Sequence, residues 1–145
     1  MPPRSSTSAA APSLPHSFWQ AAKRGIAGKC PRCGEAHLFR AFLKPVDRCA
    51  SCWIDWTPQR ADDFPAYVSI FITGHVVTPL VMWLVLGTQL GSGTITAIVV
   101  PLTLTIMLGT LQPAKGAVIA MQWWNGMHGF IRERAAGRVA LSTPR

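Results

Sequence analysis

Charged residues punctuate both ends of the chain and vanish from its middle: Phe64 to Ala114, 51 consecutive positions, contain no Asp, Glu, Lys or Arg. About 20 apolar residues carry a helix across roughly 30 Å of hydrocarbon, so this run is long enough for two crossings. Its apolar pattern fails at one place, Gly87-Thr88-Gln89-Leu90-Gly91-Ser92-Gly93-Thr94, where three glycines and polar neighbours supply turn chemistry. The pattern predicts a transmembrane helical hairpin within residues 62–112, with arms at 65–86 and 95–111. A hairpin buried inside a soluble domain is the competing reading.

Before the run, Phe18, Trp19, Ala22 and Ile26 recur at near-helical spacing beside Lys23, Arg24 and Lys29, which suits a short helix lying on a bilayer surface. After Pro113 a new helix is expected over 113–134. Ala120, Trp123, Trp124, Met127, Phe130 and Ile131 would share one face, and Gln122, Asn125, Gly129 and Arg132 the other. That division reads as an amphipathic interfacial helix with Trp123 and Trp124 as membrane-interface anchors. A third crossing is the alternative topology, but it would carry Arg132, Arg134 and Arg138 to the outer side. Residues 1–17, rich in Pro, Ser and Ala, are expected to form a disordered tail, and 135–145 a flexible one. In the N-terminal tail no continuous apolar core of about 7–15 residues follows Arg4, so a cleaved secretory signal is not expected.

A net charge of +8 raises the question of nucleic acid, but the basic residues scatter over both flanks and form no dense stripe, so none is expected. Anionic headgroups of a lipid bilayer account for them more simply. Nine of the 14 Lys and Arg precede the run and five follow it, while the short connecting loop has none. Positive-inside reasoning then places both termini in the cytoplasm.

All four cysteines fall in residues 18–61, as Cys30-Pro-Arg-Cys33-Gly34 and, 15 residues on, Cys49-Ala-Ser-Cys52. Two C-x-x-C pairs at this separation can converge on one ion, and the expectation is a small zinc-ribbon-like module with Cys30, Cys33, Cys49 and Cys52 as ligands of Zn²⁺. Iron in a four-sulfur site fits the same spacing. Leu38, Phe39, Phe42 and Leu43 are expected to line the module's core. Gly34 offers the first knuckle a permissive backbone, whereas Trp53 stands at the equivalent place in the second, whose geometry is expected to be distorted. Structural disulfides are disfavoured on a reducing cytoplasmic side, and neither pair is followed by the His of covalent haem attachment.

Three further polar groups invite a role. Asp62 and Asp63 are placed to cap the first crossing, with Pro65 in its first turn, or to bind a cation or a partner's arginine. His75 is expected near the bilayer midplane, bonded to Thr103 or Thr105 of the second arm or ligating haem or a metal, with Pro79 kinking the helix at the same level. His128 is placed at the border of the last helix's polar face. Phosphate-loop, metalloprotease and nucleophile-elbow motifs are missing, which argues against an enzyme. The leading expectation is a non-enzymatic membrane protein whose zinc module docks another membrane protein. A haem or metal carrier using His75, His128 and the cysteines is the second, and a thiol-disulfide oxidoreductase the third.

The fold class that follows is a mainly α membrane protein: a two-helix hairpin, an N-terminal zinc-ribbon-like module and a C-terminal interfacial helix. Cys30-Pro-Arg-Cys-Gly34, Leu38 to Lys44, Arg60 to Tyr67, Gly74-His75 with Pro79, Pro113 to Gly116, Gln122-Trp123-Trp124 and Met127 to Phe130 together resemble the bacterial membrane proteins of domain-of-unknown-function family 983. The resemblance runs over residues 22–131, with departures at Trp53 and Phe64, where the family has glycine. It implies a zinc-ribbon-like domain joined to a hairpin in the bacterial inner membrane, with no established biochemical activity; the association of some alphaproteobacterial relatives with cytochrome oxidase assembly genes adds the expectation of a part in biogenesis.

Overall fold

The computed structural model describes residues 14–131; the expected tails before 14 and after 131 lie outside them. Element order is α1 (Phe18–Ile26), β1 (Phe39–Ala41), β2 (Lys44–Pro45), α2 (Phe64–Gly87) and α3 (Ser92–Asn125).

The charge-free run forms the hairpin. α2 starts with Pro65 in its first turn, where a missing N–H costs nothing, and ends at Gly87. Four residues, Thr88 to Gly91, make the bend before α3. At 1.5 Å per residue α2 is about 36 Å long, enough to cross a bilayer. Both helices are long and apolar enough for that, and large apolar side chains of both lie outside: Phe71, Trp83 and Leu86 of α2 and Val100 and Leu108 of α3 are half exposed or more. A hairpin in a soluble core would bury them. The two helices are joined by a polar node in which the Ser69 hydroxyl donates to the Met107 carbonyl at 2.8 Å and lies 2.6 Å from Thr110 Oγ1.

α3 corrects the expectation of a separate helix beginning at 113. It runs unbroken for 34 residues through Pro101 and Pro113 and ends at Asn125. Proline removes one hydrogen bond but need not stop a helix that tertiary packing holds together. At about 51 Å, α3 exceeds the hydrocarbon thickness by some 20 Å, and the excess corresponds to the stretch after Pro113. That stretch enters the N-terminal module, burying Ala114, Val118, Ile119, Ala120, Gln122 and Trp123. Termination comes from Gly126 at φ 67°, with Met127 N–H donating to the Gln122 carbonyl and Gly126 N–H to that of Trp123. The loop beyond then folds Phe130 onto Trp56, ring centroids 5.6 Å apart.

α1 is capped by Ser17, whose hydroxyl accepts from Gln20 N–H, and carries Lys23 and Arg24 in its last turn, where cations suit the helix dipole. Its buried face is Ala21, Ala22 and Gly25, not the aromatic one. Those small residues bring α1 against α3 so closely that a Cβ on Gly25 or Gly116 would overlap the other's carbonyl. Trp19 and Ile26 remain exposed. The expected core quartet between the knuckles splits: Leu38 is fully buried and Phe39 packs beside it, while Phe42 is exposed at the β1–β2 turn and Leu43 takes φ 58° there.

Candidate metal centre

Each cysteine pair sits in a loop pinched shut by an antiparallel bridge, Lys29 with His37 around the first and Arg48 with Asp55 around the second. Inside the loops the backbone repeats itself. Gly34 N–H donates to the Cys30 carbonyl at 2.8 Å, and Trp53 N–H to the Cys49 carbonyl at 3.0 Å. Cys30 N–H reaches the Ala36 carbonyl at 2.8 Å, and Cys49 N–H that of Ile54 at 3.0 Å. The turn needs a left-handed residue after the second cysteine, and it has one in both places, Gly34 at φ 77° and Trp53 at φ 58°. The expected distortion of the second knuckle does not occur. Trp53 adopts the glycine conformation instead, at a cost of about 1–2 kcal/mol for a residue with a Cβ.

The two knuckles face each other with all four sulfur atoms within 4.8 Å of one another. Cys30 Sγ and Cys52 Sγ are 3.8 Å apart, Cys33 Sγ and Cys49 Sγ 3.7 Å. An ion held tetrahedrally by thiolates at about 2.3 Å requires sulfur-to-sulfur edges of about 3.8 Å. The close approaches run between knuckles, as one shared ion demands. Four free thiols at these spacings could hold a metal ion, and the donor set leaves no open coordination position of the kind a catalytic metal keeps.

The surroundings favour thiolates selectively. Burial pushes the Cys30 thiol well above its ordinary value, against the amides of Cys33 and Arg32. Burial acts upward on Cys33 too, but the amides of Ala36 and Glu35, with the Cys49 and Cys30 thiols, bring it down to about 6. Cys52 is raised by burial despite the Ile54 amide and the Arg32 side chain. Metal binding at neutral pH must therefore expel protons from Cys30 and Cys52, and it weakens as the pH falls.

Three of the ligands belong to the module's core. Cys30, Cys33 and Cys49 are buried in one cluster with Leu38, Trp56, Val118, Ile119 and Trp123. Two arginines tie the surrounding pieces together: Arg32 Nη1 donates to the Cys52 carbonyl at 3.3 Å, and Arg24 Nη1 of α1 to the Arg32 carbonyl at 3.0 Å. Gln122 closes the other side, its Oε1 accepting from Arg60 N–H at 2.9 Å and its Nε2 donating to the Arg60 carbonyl at 2.7 Å. Gln122, expected on the polar face of an interfacial helix, is instead buried, and a Gln amid Ala, Met and Trp on a helix signals such a bond to backbone.

The remaining candidates are dispersed. Trp123 is buried against Trp56, centroids 6.4 Å apart, so it serves the core and is not a surface anchor; Trp124 is half-buried beside Phe18. Asp62 and Asp63 are exposed, and Asp63 caps α2 through its backbone carbonyl, not its carboxylate. His75 is exposed on α2 with Nδ1 2.9 Å from the Phe71 carbonyl. The expected bonds to Thr103 and Thr105 are absent, because those hydroxyls donate to the Val99 and Pro101 carbonyls of their own helix. His128 lies in the loop after α3 at φ 55°. Helix rise from the Ser69–Thr110 contact puts His75 about 9 Å toward the bend and the end of α3 about 23 Å the other way, so the two histidines cannot share a ligand within one chain.

A family model described as a protein of unknown function matches residues 39–123, more than half of the chain. The match begins after the first knuckle, a narrower span than the 22–131 of the resemblance, and takes in Cys49, Cys52, the hairpin and α3 through Trp123. Neither the curated proteins nor the solved structures contain a match. With its apolar hairpin and its four-cysteine cluster, the chain belongs to the DUF983 family.

Proposed function

We propose that the protein is a membrane-anchored docking factor: a structural zinc module held at the cytoplasmic surface of a bacterial inner membrane, presenting its outer face to a membrane complex under assembly. The observation that carries this reading is the fusion of the four-sulfur site with α3. The same side chains that pack on the cysteines, Val118, Ile119 and Trp123, continue the second membrane-length helix. Zinc suits four thiolates in a closed tetrahedral site, where it contributes about 10–16 kcal/mol of apparent folding free energy in small fingers. Such an ion would stiffen the headpiece against its anchor, which favours a scaffold over a catalyst.

Trp53 and its neighbours are the natural contact. Trp53 is 74% exposed at the tip of the second knuckle, between exposed Arg48 and Arg60 on the flanking segments. A large aromatic ring held out by a strained backbone has the composition of an interface anchor. Photocrosslinking from position 53 in intact membranes tests this. The expected result is one reproducible membrane-protein adduct that disappears in Cys30→Ser; a smear of unrelated products, unchanged by Cys30→Ser, would count against docking.

The carrier reading draws on one feature. The Phe71 carbonyl takes the Nδ1 proton of His75, which leaves Nε2 free to ligate. Its test is optical: a carrier purified from cells making haem shows a haem absorbance band that His75→Ala removes.

A further inference from the structure

A groove of about 360 Å³ opens where the module meets the apolar length of α3. Ile26 and Gly28 at the end of α1, with Phe42 at the β1–β2 turn, form one wall; Leu108, Gly109 and Pro113 form the other. Ile26, Phe42 and Leu108 are 49%, 55% and 50% exposed, so the lining is apolar and open. Leu108 and Gly109 fall near the module end of the charge-free run, which sets the groove at the boundary between hydrocarbon and headgroups.

Two backbone features keep the site accessible and partly polar. A Cβ at Gly109 would meet nothing within 4 Å, so the groove is not filled by its own helix. Pro113 has no N–H to return to the Gly109 carbonyl, and Gln112 is among the lining residues. The lining is therefore mostly apolar, with Gln112 its one polar side chain.

Charge decides the class of ligand. Lys29, Arg40, Lys44 and Lys115 each stand within two residues of a lining position, as does Arg24, which is tied to the Arg32 carbonyl, and no Asp or Glu comes that near in sequence. Lys29, Arg40 and Lys44 are exposed. We propose that this groove binds one anionic glycerophospholipid, with an acyl chain along Leu108 and Gly109 and its phosphate among Lys29, Arg40 and Lys44. The inference rests on α2 and α3 crossing a bilayer. It adds that the module is seated on the membrane by a specific lipid as well as by its covalent anchor.

The test is native mass spectrometry of the full chain extracted from membranes, offered phosphatidylglycerol and phosphatidylcholine in equal amounts. One phosphatidylglycerol should be retained in preference. The double variant Lys29→Gln/Lys44→Gln should lower that retention about thirtyfold, since each cation near an anionic headgroup contributes about 1 kcal/mol, or about fivefold. Gly109→Leu, which fills the groove, should remove retained lipid of both kinds at an unchanged melting temperature. Equal retention of the two lipids, or phosphatidylglycerol binding untouched in both variants, would overturn the proposal. So would a second copy of the chain, or a non-lipid molecule, that leaves with Gly109→Leu. A chain recovered in the aqueous fraction without detergent would instead overturn the bilayer crossing, and the groove with it.

Discussion

The two halves of α3 share one backbone and live by different rules. From Ser92 to Gln112 the helix is apolar all round, and none of its most apolar 18-residue stretch is buried. From Pro113 to Asn125 seven of its residues, Gly116 among them, are buried in the module. Glycine shows the difference most sharply: Gly109 faces open space, whereas Gly116 is pressed against the backbone of Gly25. A membrane-length half can exchange protein contacts for lipid at little cost, because lipid tails are as apolar as leucine. A module half cannot, since its neighbours are fixed protein atoms and sulfur. α3 is therefore membrane-length helix and module core in one element.

The comparison breaks first at the glycines. Gly116→Ala should cost about 3–5 kcal/mol and release α1, because a Cβ meets an immovable carbonyl, while Gly109→Ala should be neutral or stabilising by up to about 1 kcal/mol through helix propensity. Thermal melts in detergent check both, and equal melting temperatures would dissolve the distinction. Ile119→Ala, at a fully buried site, should cost about 2–5 kcal/mol, against no more than about 0.5 kcal/mol for Leu104→Ala at a lipid-facing one. Gln122→Leu should cost about 1–3 kcal/mol by stranding the Arg60 N–H and carbonyl, and hydrogen exchange at Arg60 should rise with it. The second knuckle offers a small gain. Trp53→Gly should raise stability by up to about 1 kcal/mol, because it relieves the left-handed backbone of an exposed side chain, while removing the 53-dependent crosslink.

What the sequence made legible was what is encoded locally. A charge-free run and a glycine cluster suffice to locate α2, the bend and the start of α3 to within a few residues, and cysteine spacing suffices to bring four sulfurs together. Pro113 misled because the rule that proline ends helices is local, while the packing of Ile119 and Trp123 on the cysteine core is not. Trp123 and Trp124 are adjacent and read alike as interfacial aromatics, yet one is buried and the other only half-buried, a difference set by Trp56 from a distant segment. Gly25 and Gly116 each look permissive alone; only together do they define a helix crossing. Trp53 carries the reverse lesson, since a turn closed by its neighbours imposes a positive φ on a residue that disfavours it.

In the proposed function, four thiolates on one ion fasten the headpiece to its helical anchor. Elemental analysis of the detergent-purified chain, beside single Cys→Ser variants at 30, 33, 49 and 52, tests it most directly. One zinc per chain is predicted, lost or weakened in every variant together with the melting transition of the module. A chain that is fully folded and metal-free, or that keeps its metal when any one of the four sulfurs is removed, would contradict it.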